Sequence, residues 1–267
     1  MPEQRNSRIS RVFQSPPLGG NRGSSGLLSI FLTAGYPHLN STLPLIKSLQ
    51  AHGADMIEIG MPYSDPLADG PVIQHSSAVA LTNGMTIRIL FQQLKDMRNE
   101  ISIPILLMGY MNPVLQYGFE KFCEDASSVG IDGLIIPDLP EFEFEKEYGA
   151  IIRRNELDFV FLVTPETDDR RIKKLDELGS GFLYAVSSSA TTGSDKRFEV
   201  ADYLERLNAL KLKNPVMVGF GIKDKASFQA VCQHAAGGII GTAFIKALEN
   251  KADTDAATKS FLSSIRG

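Results

Sequence analysis

Glu58 stands between two isoleucines in the run MIEIG, residues 56–60. In an extended strand alternate residues share a face, so Met56, Glu58 and Gly60 point one way and Ile57 and Ile59 the other. In a barrel wall one face meets the packed interior and the other meets a layer of helices, so the carboxyl is short of water on either side. A carboxyl desolvated without a partner resists ionisation, and one that titrates near neutrality suits general acid-base work. The competing reading is an acid paired with an Arg or Lys in the barrel's layers. Next comes PYSDPLADGP, residues 62–71, with Asp65 and Asp69 among three prolines and a glycine. Prolines stiffen such a loop at points while the acids stay polar between them, a construction that presents a side chain in a defined place. A surface loop with Asx turns would look the same locally.

Glycine clusters follow three of the late apolar runs: Ala190-Thr191-Thr192-Gly193-Ser194, Gly219-Phe220-Gly221-Ile222 and Gly241-Thr242-Ala243. Backbone N–H groups at glycines and at a helix start bind anions, and barrels often hold phosphate with the loops after strands seven and eight. The alternative is tight turns that need positive φ. Phe31, Tyr110, Tyr184 and Phe220 fall at or near strand ends, where they either complete the core or line a pocket for a flat apolar substrate. His38, His52, His75 and His234 share no ligand spacing, so no metal is expected. No lysine ends a strand and Lys246 falls in what reads as the last helix, which disfavours a Schiff-base aldolase. The chemistry read from these residues is acid-base catalysis on a small phosphorylated substrate.

Eight short apolar runs carry these groups, at 27–32, 56–59, 104–108, 133–136, 159–163, 182–186, 216–219 and 238–240. Amphipathic stretches alternate with them, at 41–52, 86–99, 119–129, 143–154, 170–178, 200–210, 225–234 and 243–249. Runs apolar throughout, each followed by a helical pattern, describe a parallel sheet covered by helices. Eight units with no break in composition predict an α/β fold, a single (β/α)8 TIM barrel over residues 1–267. Ile9, Val12 and Phe13 have helical spacing and predict a short N-terminal helix covering one end. Residues 15–26, SPPLGGNRGSSG, read as an irregular connector, so 1–26 is helix plus connector.

With 27 Lys+Arg against 31 Asp+Glu the 267-residue chain carries a formal net charge of −4, which argues against a nucleic-acid partner. Its 43% hydrophobic and 22% charged residues suffice for a large core and exclude disordered and fibrous classes. Cys123 and Cys232 make neither a metal motif nor a disulfide framework. The arginine-dotted start lacks the apolar stretch of a signal peptide, and no run has membrane-spanning length. A cytoplasmic protein with no membrane partner is expected.

Five strings, LTAGYP (32–37), GADMIEIGMPYSDPLADGP (53–71), MGYMNP (108–113), PDLP (137–140) and GFGI (219–222), resemble in this order the alpha chain of tryptophan synthase, over about residues 27–250. The resemblance implies retro-aldol cleavage of indole-3-glycerol phosphate to indole and glyceraldehyde 3-phosphate. Indole then passes to a beta chain, which condenses it with serine to tryptophan. It implies Glu58 as the acid-base group and Asp69 as the group holding the indole N–H. Phe31, Ile73, Tyr110, Tyr184, Thr192 and Phe220 would border the substrate, and Gly193, Gly221, Gly241 and Thr242 would hold its phosphate. No cofactor is implied for this chain, pyridoxal phosphate being expected in the partner. The partner is the beta chain of an α2β2 heterotetramer, met through residues 62–69. Asp138 reads as structural or interfacial.

One departure stands out. Ala190 and Thr191 occupy positions where the family usually has Gly-Val, and loss of a glycine removes backbone freedom from a closing lid. That keeps a catalytically weak regulatory partner of the beta chain as the alternative, against which the retained Glu58 and Asp69 argue. A lyase working without any partner is a further reading. Another phosphate-binding barrel, such as an epimerase, is disfavoured because strand-end histidines for a metal are missing.

Overall fold

The computed structural model describes residues 6–14, 26–186, 196–219 and 221–267, and the side chains of 196–200 are outside that description. Nine parallel segments form its sheet: β1 (Leu27–Thr33), β2 (Met56–Gly60), β3 (Ile105–Met108), β4 (Gly133–Ile135), β5 (Asp158–Phe159), β6 (Leu162–Val163), β7 (Leu183–Ala185), β8 (Val216–Val218) and β9 (Gly237–Ile240). They are ordered β5-β4-β3-β2-β1-β9-β8-β7-β6. The two ends of that order are halves of one apolar run. Its first half pairs with β4 and its second with β7, while Val160 N–H donates to Leu134 O at 3.0 Å and Tyr184 N–H to Phe161 O at 3.0 Å. The run read from sequence as a single strand over 159–163 is therefore shared between both neighbours, and the sheet closes as a barrel of eight staves.

Period-two alternation sorts the walls. Leu27, Met56, Leu106, Ile135, Val160, Phe182, Met217 and Ile239 make the interior cluster, whereas Leu28, Ile57, Ile59, Leu107 and Leu134 pack outward against the helices. Hence Glu58, between Met56 and Gly60, faces inward. Three acids hold the amino-terminal rim by accepting strand-edge N–H groups that no ladder partner reaches. Asp55 accepts from Leu28 N at 2.8 Å and pairs with Arg266. Asp132 accepts from Ile105 N at 2.7 Å and pairs with Arg98 and Arg8. Asp176 accepts from Lys213 N and Asn214 N.

The expected N-terminal helix is present, Arg8–Gln14. It covers that same rim. Ile9 is fully buried there, beside Gly133 and Gly181, where a Cβ on either glycine would lie 3.1 Å from an Ile9 methyl. Phe13 packs against Phe182 with ring centroids 6.2 Å apart and the rings tilted by 53°. Three helices were not expected from sequence: Pro71–Thr82, Met111–Tyr117 and Thr254–Arg266. The first has Gly70 as its N-cap and Pro71 in its first turn, so the prolines of the 62–71 loop end by starting a helix. Among the described residues no helix is long and apolar enough to cross a membrane. The connector, residues 15–25, lies outside the described residues.

Candidate active site

A cavity of about 230 Å³ opens at the carboxyl ends of the strands, the end where barrels place their loops. Phe31 and Tyr184 form opposite parts of its wall, and each ring leans along its strand over a glycine of the neighbouring strand. A Cβ at Gly60 would lie 2.3 Å from Phe31 Cζ, and one at Gly219 would lie 2.1 Å from Tyr184 Cε1. These two glycines give aromatic rings room inside the barrel, a purpose that neither the phosphate nor the turn reading had assigned to Gly219.

Glu58 lies one layer deeper. It is the register partner of Phe31, sits two residues before the cavity-lining Gly60, and is wholly buried. Oε1 accepts a hydrogen bond from Ser29 Oγ at 2.9 Å, and Oε2 has no partner among the described residues. Burial pushes this carboxyl up to about 8, the Ser29 hydroxyl pulling weakly the other way. No cation among the described residues neutralises it, so the paired-acid reading does not describe this residue, and near neutral pH the group holds its proton.

Asp69 reaches the cavity from the loop between β2 and the helix Pro71–Thr82. Its backbone N–H donates to Pro66 O at 3.0 Å and its carbonyl accepts from Gln74 Nε2 at 2.9 Å, which folds the loop back on the helix start. Burial raises its carboxyl while the neighbouring Tyr110 hydroxyl lowers it. Tyr110 Oη in turn accepts from Ala68 N at 3.1 Å, and burial with the nearby Asp69 pushes the phenol up to about 12. The adjoining helix fixes Tyr110 in its turn, because Asp138 accepts from Met111 N at 2.9 and 3.1 Å and so caps the helix Met111–Tyr117. Tyr184 lies near enough to both acids to feel their charge. Its hydroxyl is raised well above its ordinary range, by burial first and then by Glu58 and Asp69.

Of the residues picked out from sequence, Phe31, Asp69, Ile73, Tyr110, Tyr184, Gly241 and Thr242 line this cavity, and Glu58 lies directly beneath it. Gly221 does not line it. It is exposed at φ +65° with open space around its Cα, as a turn glycine would be. Thr192, Gly193 and Phe220, with the unusual Ala190 and Thr191, lie outside the described residues. Sequence reasoning missed Ser77, Leu162, Val186 and Ser29. Ser77 comes from the helix that apolar periodicity had not found; Ser29 had a signal, as the one polar residue between Leu27 and Phe31 on the inward face of β1.

A buried acid under a cavity, with one oxygen unpartnered among the described residues, and a second carboxylate at the wall match the division of labour implied by the motifs at 53–71. Comparison with known proteins decides the family. Residues 21–265 match the family model described as tryptophan synthase alpha chain. This chain belongs to the tryptophan synthase alpha chain family. It is 46% identical over 262 residues to the tryptophan synthase alpha chain of Parabacteroides distasonis, covering 97% of this chain and 99% of that one. Against the alpha chain of Flavobacterium johnsoniae it is 53% identical over 224 residues, 83% and 88% of the two chains. The crystal structure of tryptophan synthase subunit alpha from Legionella pneumophila superposes with TM-score 0.87 at 34% identity, covering 98% of both chains.

Proposed function

We propose that this chain cleaves indole-3-glycerol phosphate by a retro-aldol reaction to indole and glyceraldehyde 3-phosphate, and that Glu58 and Asp69 carry the chemistry. The observation behind the proposal is the desolvated Glu58, protonated near neutrality and with one oxygen that has no partner among the described residues, beneath the cavity. Such an acid protonates the ring carbon that bears the glycerol phosphate chain. The ring nitrogen then carries positive charge, and Asp69, the carboxylate at the wall, accepts its N–H and stabilises the cation. Glu58, now a carboxylate in a dry site, takes the proton of the adjacent side-chain hydroxyl. The oxygen forms a carbonyl, the carbon–carbon bond breaks, and its electron pair restores the aromatic ring. Glu58 ends the cycle with its proton back.

Phe31, Ile73, Tyr110 and Tyr184 offer flat apolar walls for the indole, and Thr192 and Phe220 are assigned beside them from the family motif. Gly241 and Thr242, at the start of the helix Thr242–Leu248, offer backbone N–H groups to the phosphate; Gly193 and Gly221 are assigned the same role from the family motif alone. The barrel and its N-terminal helix act as one domain.

The partner is a beta chain, in an α2β2 assembly, and it receives the indole. Leu67, in the 62–69 loop, is 91% exposed, and Phe142 and Leu115 are exposed in the segments following β4 and β3. Large apolar side chains left bare around one rim suit a protein partner. Pyridoxal phosphate belongs to that partner, and this chain uses no cofactor of its own. The test is indole release by the wild type, Glu58→Gln and Asp69→Asn, each with and without a cognate beta chain. Each variant should lose roughly 10²-fold or more in kcat. Wild-type rates in both variants would remove the assignment, and an inactive wild type that still stimulates the beta chain would make the chain a regulatory partner instead.

A further inference from the structure

Glu58 has two oxygens and, in its neutral form, one proton, so the acid works only if that proton is on the oxygen that faces the substrate. Inside the barrel the surroundings of the carboxyl are almost wholly apolar. Met56 and Leu106 flank it, Met217 and Ile239 belong to the same interior cluster, and the Phe31 ring lies across from it. Among the described residues the titratable groups around the cavity above it are Tyr184 on β7, Asp69 on the β2 loop and Tyr110 after β3; none of them donates a hydrogen bond to Glu58. Among the described residues the one hydrogen bond to the carboxyl comes from Ser29 Oγ, itself wholly buried on the inward face of β1, 2.9 Å from Oε1.

We propose that Ser29 is a positioning residue for Glu58: by donating to Oε1 it reserves that oxygen as an acceptor and leaves the acid proton on Oε2, the oxygen without a partner among the described residues. A serine hydroxyl has one hydrogen, and once that hydrogen points at Oε1 the carboxyl's own proton meets the fewest conflicts on the other oxygen. The same bond restrains carboxyl rotation, so Oε2 keeps one direction. After proton transfer the bond strengthens, because its acceptor is then charged, and this favours the step that generates the carboxylate. Alanine at position 29 would supply none of these effects, while its smaller volume would fit.

This inference rests on Glu58 being the acid of the proposed reaction, and the experiment separates the two. Indole release by the full chain is followed from pH 6 to 10 for the wild type, Ser29→Ala, Ser29→Thr and Glu58→Gln. Ser29→Ala should lose roughly tenfold in kcat with KM within about twofold, the size of one hydrogen bond to a group that becomes charged. The fall in kcat above the Glu58 pKa should move to higher pH, because loss of a donor to the carboxylate disfavours ionisation. Ser29→Thr should restore both. If Ser29→Ala folds poorly, Ser29→Cys, close in volume and a weaker donor, takes its place and should show the same upward displacement. An alkaline limb and kcat at their wild-type values in Ser29→Ala, with Glu58→Gln inactive, would overturn the role of Ser29 alone. Full activity in Glu58→Gln would overturn the acid assignment itself.

Discussion

Because its folded-state pKa is raised from 4.5 to about 8, Glu58 holds a proton in the native protein that the unfolded chain releases. Between those two values the native state binds more protons than the unfolded one, so this residue's contribution to stability falls as pH rises, by roughly 1.4 kcal/mol per pH unit, and levels off above about 8. The sign is opposite to that of a salt-bridged carboxylate. Glu58→Gln keeps an acceptor for Ser29 and removes the titration. Its urea midpoint should match the wild type near pH 5 and exceed it increasingly toward pH 8. Equal midpoints across that range would mean that the carboxyl is not desolvated. An acid that folding must keep neutral is a cost typical of a functional position, where stability is given up for reactivity. Glu58 could be singled out in the sequence because a charge between isoleucines breaks the strand's own pattern. Ser29 also stands out, as the polar residue of an apolar strand, but its pairing with Glu58 does not, since the two lie on different strands and the bond depends on the register that sets Phe31 opposite Glu58.

At the scale of elements, the cavity depends on rings that cross glycines. In Gly219→Ala the new methyl would meet the Tyr184 ring and its hydroxyl, the latter 2.3 Å away, and the ring must leave its place. Overpacking of this kind costs about 1–3 kcal/mol. The expected result is an unfolding free energy in urea lowered by that amount together with a KM for indole-3-glycerol phosphate raised several-fold, because Tyr184 is both core and wall. A lower midpoint with an unchanged KM would show that the ring has no part in the substrate site. The eight strands were legible because buried parallel strands are apolar on both faces and stand out from amphipathic neighbours. The helix Pro71–Thr82 was not. It presents Ser76, Ser77 and Ala80 to the barrel, small residues that let it approach closely, and the Ser76 hydroxyl meets Thr33 Oγ1 at 2.7 Å. A face made of serine and alanine gives no apolar stripe to read. The same helix delivers Ile73 and Ser77 to the cavity; Ile73 came from the family resemblance, and Ser77 went unread.

At the scale of the whole molecule, the carboxyl-end rim divides into a site and a surface. Leu67 projects into solvent from the very loop that carries Asp69, two residues away, so a partner seated on Leu67 would press on the loop that aims the carboxylate. Leu67→Asp should weaken binding of a beta chain by tenfold or more, measured by titration calorimetry. It should shift the stability of the isolated chain in urea by no more than about 0.5 kcal/mol, as expected for an exposed side chain. Unchanged affinity would place the partner elsewhere. The sequence by itself determined the repeating apolar runs, the loop with its two acids and the motifs that carry the family resemblance, all of which are local properties of a chain read along its length. Only the tertiary structure decided that the run at 158–163 is shared by two neighbours to close the barrel, that Glu58 faces inward, and that Ser29 is its donor. It also decided that Gly60 and Gly219 stand under aromatic rings. Desolvation and hydrogen-bond partnership are set by segments far apart in the chain, and they come into being only when the sheet closes and excludes water from its interior.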